Sequence, residues 1–249
     1  MAYDLLATSA TPALVIYLLD VSASMSQTMG TGNRLDIVLG ALDAAIQQMV
    51  FRSTRGARVS SRYRVAMFAY SDHVYDLLDG IRSVDTVAQM GLPPLEPLRT
   101  TRTAAAFEVA EKLLRAELPN LRNCPAPLVC HMTDGEYNGD DPEPVVRRIM
   151  SMAVDDGGVL VENIFIAPNV LTQAVQDPHT WGGVLPSTAL ASDYARKLRA
   201  MSSPVPQTYL ETMLDNNYNL AQGAVMLFPG SSPDLVAMGF QMSAATPIR

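Results

Sequence analysis

An unbroken apolar run over residues 13–19 (ALVIYLL) stops at an aspartate, Asp20. A run this short, rich in branched side chains and without strict alternation, fits a strand buried on both faces. Such strands are typical of parallel sheets covered by helices on either side. The rest of the chain repeats the theme. Residues 63–70 predict a second strand, and residues 73–78 a third, turned back on it by a short Ser-Asp turn as an antiparallel edge. Residues 127–132, 159–166 and 224–228 predict three more.

Between the strands the period changes to that of a helix. After a Gly-containing turn, Asn33 is placed to cap a helix in which Leu35, Val38, Leu39, Leu42, Ile46, Met49 and Val50 recur on one stripe. From Thr103 onward, Ala106, Phe107, Ala110, Leu113 and Leu114 do the same. Asp141 is placed to cap a third helix with Pro142 at its first position. Residues 189–201 predict a fourth helix, and Ser232-Pro233 opens a last one running to about residue 244. Prolines make residues 91–97 a loop, and residues 169–187 stay unassigned. Strand and helix alternating at this spacing require crossover connections. The expected fold is α/β and Rossmann-like. It is a doubly wound, mainly parallel six-stranded sheet with one antiparallel edge strand and helices on both faces. It forms one domain over 1–249 with its core at about 13–245.

The 249 residues carry a net charge of −7, with 48% hydrophobic and 17% charged side chains. A negative surface disfavours nucleic acid and anionic membranes as partners. The arginines Arg52, Arg55, Arg58, Arg62 and Arg64 form a mild cluster, expected to be a solvated loop. No apolar stretch reaches 18 residues and the first ten residues lack the pattern of a signal peptide, so the expected compartment is cytoplasmic. Cys130 lies in a strand run and is expected to be a small buried hydrophobe rather than a nucleophile. A disulfide with Cys124 is not expected.

In an open parallel sheet, ligands bind beyond the carboxyl ends of the strands. Asp20 is at one such end and Asp134, in Thr133-Asp134-Gly135, at another. The run Asp20-Val21-Ser22-Ala23-Ser24 adds two hydroxyls, which alternate on one side of an extended loop. Thr101, in Thr100-Thr101-Arg102-Thr103 at the start of a helix, adds a third. Carboxylates and hydroxyls are hard oxygen donors that suit Mg²⁺, with Mn²⁺ and Ca²⁺ as alternatives; thiolates and imidazoles, which would suit zinc, are absent. Thr100 and Thr103 compete with Thr101, but Thr103 fits better as a helix cap. His131 is expected to be a packed strand residue, and Met25 to pack beneath the motif. Residues 134–141 are expected to be a solvated loop, with Arg102, Glu136 and Tyr137 on the rim.

These five residues, Asp20, Ser22, Ser24, Thr101 and Asp134, resemble in type and order the metal-ion-dependent adhesion site of von Willebrand factor A domains. The resemblance runs from about Leu14 to the last helix, and is nearest to stand-alone cytoplasmic bacterial members such as the tellurite-resistance-type proteins. It implies that Ser22, Ser24 and Thr101 hold the ion directly in the ligand-bound state, while Asp20 and Asp134 act mostly through water, or Asp134 directly in an unliganded state. The ion then keeps an open position for a Glu or Asp carboxylate of a partner protein. Two departures from the pattern stand out: Arg99 and Thr100 precede the threonine where glycines are common, and Ala23 stands where glycine is common. The expected function is a metal-dependent protein-binding module rather than an enzyme. The alternative is a metal-dependent hydrolase or phosphotransferase using the same ion, for which no nucleophile, base or phosphate-loop motif is present.

Overall fold

The computed structural model describes residues 3–56 and 58–248, without the side chains of Arg55 and Arg58. Its centre is a sheet of seven strands: β1 (Ala13–Asp20), β2 (Tyr63–Tyr70), β3 (Val74–Asp76), β4 (Arg82–Ser83), β5 (Leu128–Thr133), β6 (Leu160–Phe165) and β7 (Leu227–Pro229). Their spatial order is β7-β6-β5-β1-β2-β3, parallel except for the antiparallel edge β3. The two-residue β4 adds a second antiparallel pairing to β2, beyond the six expected strands. β1 lies in the middle, and all eight of its residues are buried. Successive side chains of a strand point to opposite faces. Thus Val15, Tyr17 and Leu19 enter one core cluster, and Leu14, Ile16 and Leu18 the other.

Among the described residues seven α-helices cover the two faces: α1 (Arg34–Ser53), α2 (Val84–Met90), α3 (Thr103–Glu117), α4 (Glu143–Met150), α5 (Asp193–Ala200), α6 (Gln207–Asp215) and α7 (Pro233–Ser243). The first core is closed by α1, α2, α6 and α7, the second by α3, α4 and α5. Caps at Asn33 and Ser232 fix helix starts as the sequence predicts, whereas Ser192 caps α5 at Asp193, inside the helix expected over residues 189–201. The Asn33 side chain accepts from the Asp36 amide at 2.8 Å, and the hydroxyls of Ser192 and Ser232 accept from the third residue beyond them. Asp141 accepts from the Glu143 amide at 2.9 Å, two residues ahead of the first residue of α4, with Pro142 at the cap position rather than the first helical one. The helices α2 and α6 are additions. Each is short, and α6 fully buries only Tyr209 and Met213, too narrow a stripe to stand out as a period.

Arg52, Arg62 and Arg64 do not lie on a solvated loop. Arg52 closes α1 and donates to the carbonyls of Ala244 and Thr246 behind α7; Arg62 is buried and donates to the Arg52 carbonyl at 2.8 Å. Arg64 lies on β2 and pairs with Glu117 at 2.9 Å. A buried helix end leaves carbonyls that need donors, and arginines supply them here. The side chains of Arg55 and Arg58 fall outside the described part. The unassigned segment 169–187 is an irregular cover, held by isolated bridges from Leu171 to Leu190 and from Val184 to Val225. His179, a loop residue, stacks on Tyr218 at 4.9 Å and bonds the Asn217 carbonyl, partners that sequence spacing gives no sign of. Both cysteines are buried and free. Among the described residues no helix is long and apolar enough to cross a membrane.

Candidate metal site

β1 and β5 are neighbours and parallel, so Asp20 and Asp134 emerge at the same edge of the sheet. Asp20 is wholly buried. One of its oxygens accepts from the Ser22 amide at 2.8 Å and the other from the Thr133 hydroxyl at 2.7 Å. Burial, and to a smaller degree the nearby Asp134, push its carboxyl up to about 6 in spite of these donors. A positive charge at this edge would work in the opposite direction.

The chain does not stay extended after Asp20. Ser22 is extended, but residues Ala23–Ser26 turn into one 3₁₀ turn, so the two serines converge by a tight turn rather than by strand alternation. Met25 points down from this turn into the core, fully buried. The Ser24 hydroxyl donates to Asp134 Oδ1 at 2.6 Å, the Ser22 hydroxyl donates to the same oxygen at 3.3 Å, and the two hydroxyls lie 3.1 Å apart. Three oxygens therefore form a triangle with edges of 2.6 to 3.3 Å. Six oxygens at magnesium's usual bond length would be spaced at about 2.9 Å along each edge of the octahedron. The triangle has the size and the donor chemistry of one face of that octahedron, so the residues fit a small hard cation.

Thr101 is placed by a strap that crosses the strand ends. The Leu98 amide donates to the Val21 carbonyl beyond β1. The Thr100 amide donates to the Ser71 hydroxyl at 3.2 Å and the Arg102 amide to the Ser71 carbonyl at 2.9 Å, beyond β2. The Thr101 amide donates to Asn138 Oδ1 at 3.2 Å, and its carbonyl accepts from the Asn138 amide at 2.7 Å, beyond β5. Because β1 lies between β2 and β5, these anchors hang Thr101 over the end of β1. Thr101 is buried, and its hydroxyl makes no hydrogen bond among the described residues. Thr100 is exposed. Thr103 is the first residue of α3 rather than its cap, which is Arg102; the Thr103 hydroxyl is buried and has no hydrogen-bond partner among the described residues.

Three contributors have no role in the sequence reading, which names Thr133 only as part of the turn that carries Asp134. Thr133 orients Asp20 and also bonds the Gly135 carbonyl at 3.1 Å, closing the turn that carries Asp134. Asn138 fixes Thr101. Arg34 donates to the second Asp134 oxygen at 2.8 Å, with a side chain only 13% exposed. Only Arg34 had a visible signal: it is a cation at the first position of a helix, against the macrodipole. Residues 136–141 are mostly exposed. Glu136 and Tyr137 line a shallow cavity of about 310 Å³ with Asp193, Tyr194 and Lys197. Lys197 bridges Asp141 at 2.6 Å and the Tyr137 hydroxyl at 2.9 Å. Arg102 is exposed on the strap. His131 is enclosed in the sheet, with both ring nitrogens bonded.

Residues 15–136 match the family model of the von Willebrand factor type A domain. No curated protein matches the chain. Among solved structures, proximal thread matrix protein 1 of the mussel byssus, with a zinc-occupied MIDAS motif, superposes with a TM-score of 0.53 at 15% identity, over 97% of this chain and 47% of that one. BatB from Bacteroides thetaiotaomicron gives 0.48 at 15% identity, over 72% and 78%. The vWF domain of the pilus tip protein Mfa5 from Porphyromonas gingivalis gives 0.40 at 18% identity, over 51% and 39%. The chain thus spans less than half the length of the mussel and pilus proteins. The matched residues begin in β1, run through the serine turn and the strap, and end just past Asp134, and this chain carries a von Willebrand factor type A domain.

Proposed function

We propose that the protein is a metal-ion-dependent protein-binding module. Ser22, Ser24, Thr101, Asp20 and Asp134 hold one divalent cation, Mg²⁺ foremost, with Mn²⁺ or Ca²⁺ as alternatives. The cation keeps one coordination position for a Glu or Asp carboxylate of a partner protein, in a bacterial signalling, stress-response or assembly system. The observation that carries this reading is the oxygen triangle of Ser22, Ser24 and Asp134, spaced at 2.6 to 3.3 Å. Asp20 supports the same reading. Both its oxygens are engaged by the Ser22 amide and the Thr133 hydroxyl, so it fixes the serine turn and balances charge instead of joining the triangle. Zinc in the MIDAS motif of the mussel protein supports a divalent ion on this fold without fixing its identity here. When bound, the ion supplies a Lewis-acidic attachment point for an anionic side chain.

The test is calorimetric titration with Mg²⁺ and with Mn²⁺ of wild type, Asp20→Ala and Asp134→Ala, followed by partner capture with and without chelator. One site in wild type, weakened at least a hundredfold in both variants, is the expected result. Equal metal binding by the variants would sink the site assignment. Partner capture indifferent to chelator would sink the mechanism. Phosphoester turnover lost in Asp134→Ala would favour a hydrolase.

A further inference from the structure

Arg34 is at odds with its own helix. It opens α1, where the free amides already carry positive partial charge, and a cation there costs stability unless something else holds it. What holds it is Asp134. Arg34 Nη1 lies 2.8 Å from Asp134 Oδ2, with the carboxylate side chain fully buried and the guanidinium only 13% exposed. The other oxygen of the same carboxylate faces the two serine hydroxyls. One carboxylate is therefore shared, one oxygen given to the donor triangle and one to a permanent monovalent cation.

The position of Arg34 is fixed from the backbone side as well. A tight hairpin pairs Thr28 with Asn33 and Met29 with Gly32, turning at Gly30 in the left-handed region (φ +59°). The Arg34 amide then donates to the Gln27 carbonyl at 2.9 Å, tying the helix start to the end of the serine turn. The serines, Arg34 and Asp134 are thus tied together through backbone and side-chain bonds.

We propose that Arg34 is the specificity-determining residue of this site: a resident counter-cation that weakens the binding of a bare divalent ion and makes that binding depend on an anionic ligand. This rests on the metal-binding reading above and adds a charge balance to it. Asp20 and Asp134 supply two negative charges and Arg34 one positive. A divalent ion then leaves the loaded site with one net positive charge, which a single carboxylate neutralises. Without Arg34 the loaded site is already neutral, and an incoming carboxylate gains less. Metal and anion thus reinforce each other, and by linkage the reinforcement is the same in either direction. The guanidinium keeps its charge at every working pH, so the effect does not depend on titration.

The experiment is Mn²⁺ titration by calorimetry at pH 8 of wild type, Arg34→Met, Arg34→Lys and Asp134→Asn. Each is measured in sodium chloride and in sodium acetate at matched ionic strength, with melting curves as a fold check. Arg34→Met should bind Mn²⁺ about tenfold more tightly than wild type in chloride. Acetate should tighten wild type several-fold more than it tightens Arg34→Met. Arg34→Lys, which retains the charge, should stay within about threefold of wild type, and it carries the test should the methionine variant fail to fold: a lysine variant tightened tenfold would overturn the charge argument. Folded Arg34→Met with unchanged or weaker Mn²⁺ binding, or with an undiminished acetate effect, overturns the proposal while leaving the metal site intact. Absence of Mn²⁺ binding in wild type and every variant overturns both.

Discussion

Cys130 and His131 are consecutive on β5, and Glu162 and Asn163 stand beside them in register on β6, yet the two faces of the sheet treat their polar groups in opposite ways. On the face covered by α3, α4 and α5, the Tyr70 hydroxyl bonds His131 Nε2 at 2.8 Å, and His131 Nδ1 bonds Asn163 Oδ1 at 2.8 Å. Asn163 Nδ2 then donates to the Ser202 hydroxyl at 2.9 Å and to the Met201 carbonyl at 3.1 Å. Every link is buried and partnered. On the other face Glu162 is equally buried, and among the described residues neither of its oxygens meets a hydrogen-bond partner other than the weakly donating Cys130 thiol beside it. Burial drives the Glu162 carboxyl far above its usual range and drives His131 down to about 4. Burial alone therefore says little about what a polar residue does for the fold. The complete chain ties β2, β5 and α5 together on the side of Tyr70, the residue in register with Asp20, whereas Glu162 is a standing cost.

The comparison is broken most forcefully at His131. His131→Leu strands the Tyr70 hydroxyl and Asn163 Oδ1 in the core, and denaturant unfolding should show a loss of about 3 kcal/mol. A loss under about 1 kcal/mol would mean the chain is ornamental. In the other direction, Glu162→Met keeps the length of the side chain and removes the unpaired carboxyl. It should raise stability at pH 8 by about 2 kcal/mol in the same assay, and a destabilised variant would show that an unseen partner serves the carboxyl.

The pH dependence should carry opposite signs. His131 takes up its proton more readily in the unfolded chain, so its contribution is full above pH 6.5 and is lost as pH falls toward 4. Between pH 6.5 and 5.5 wild type should lose about 1 kcal/mol relative to His131→Leu. Glu162 keeps its proton in the folded state, so its effect runs the other way. Wild type should lose stability relative to Glu162→Met as pH rises above the usual carboxylate range. Parallel pH curves for wild type and either variant would contradict this. The smallest effect is the coupling between faces. The two side chains share no partner, so a double-mutant cycle of His131→Leu and Glu162→Met should close to within about 0.5 kcal/mol, and coupling above 1 kcal/mol would join the faces into one network.

Much of this architecture was legible because burial leaves a plain record in sequence. β1 is a continuous apolar run, α1 and α3 carry wide stripes, and Asn33 and Ser232 cap the helices they precede. The edge that gathers Asp20, Ser22, Ser24 and Asp134 follows from two parallel strands ending side by side. What stayed hidden depends on contacts between residues far apart in the chain. Arg34 meets Asp134 across 100 positions, and Thr133 serves Asp20 across 113. The arginines at 52 and 62 looked like surface because charge usually is surface; a buried helix end changes that, and no local pattern announces one. Thr103 looked like a cap because threonine favours that role, but the strap fixes the chain one residue earlier and leaves Arg102 there.

The strap has a further consequence for how this domain can vary. The chain departs from β2 at Ser71 and returns to Ser71 at Thr100 and Arg102, so everything between forms a detour whose two ends meet. The early part of that detour is committed: β3 and β4 pair with β2, and Leu78, Val84 and Val87 fill the core. Its last part, residues 91–97, is proline-rich and largely exposed. Length or sequence can be exchanged there while Ser71, Val21 and Asn138 still hold the return point. A tag or foreign loop inserted there should leave the strand register and Thr101 where they are.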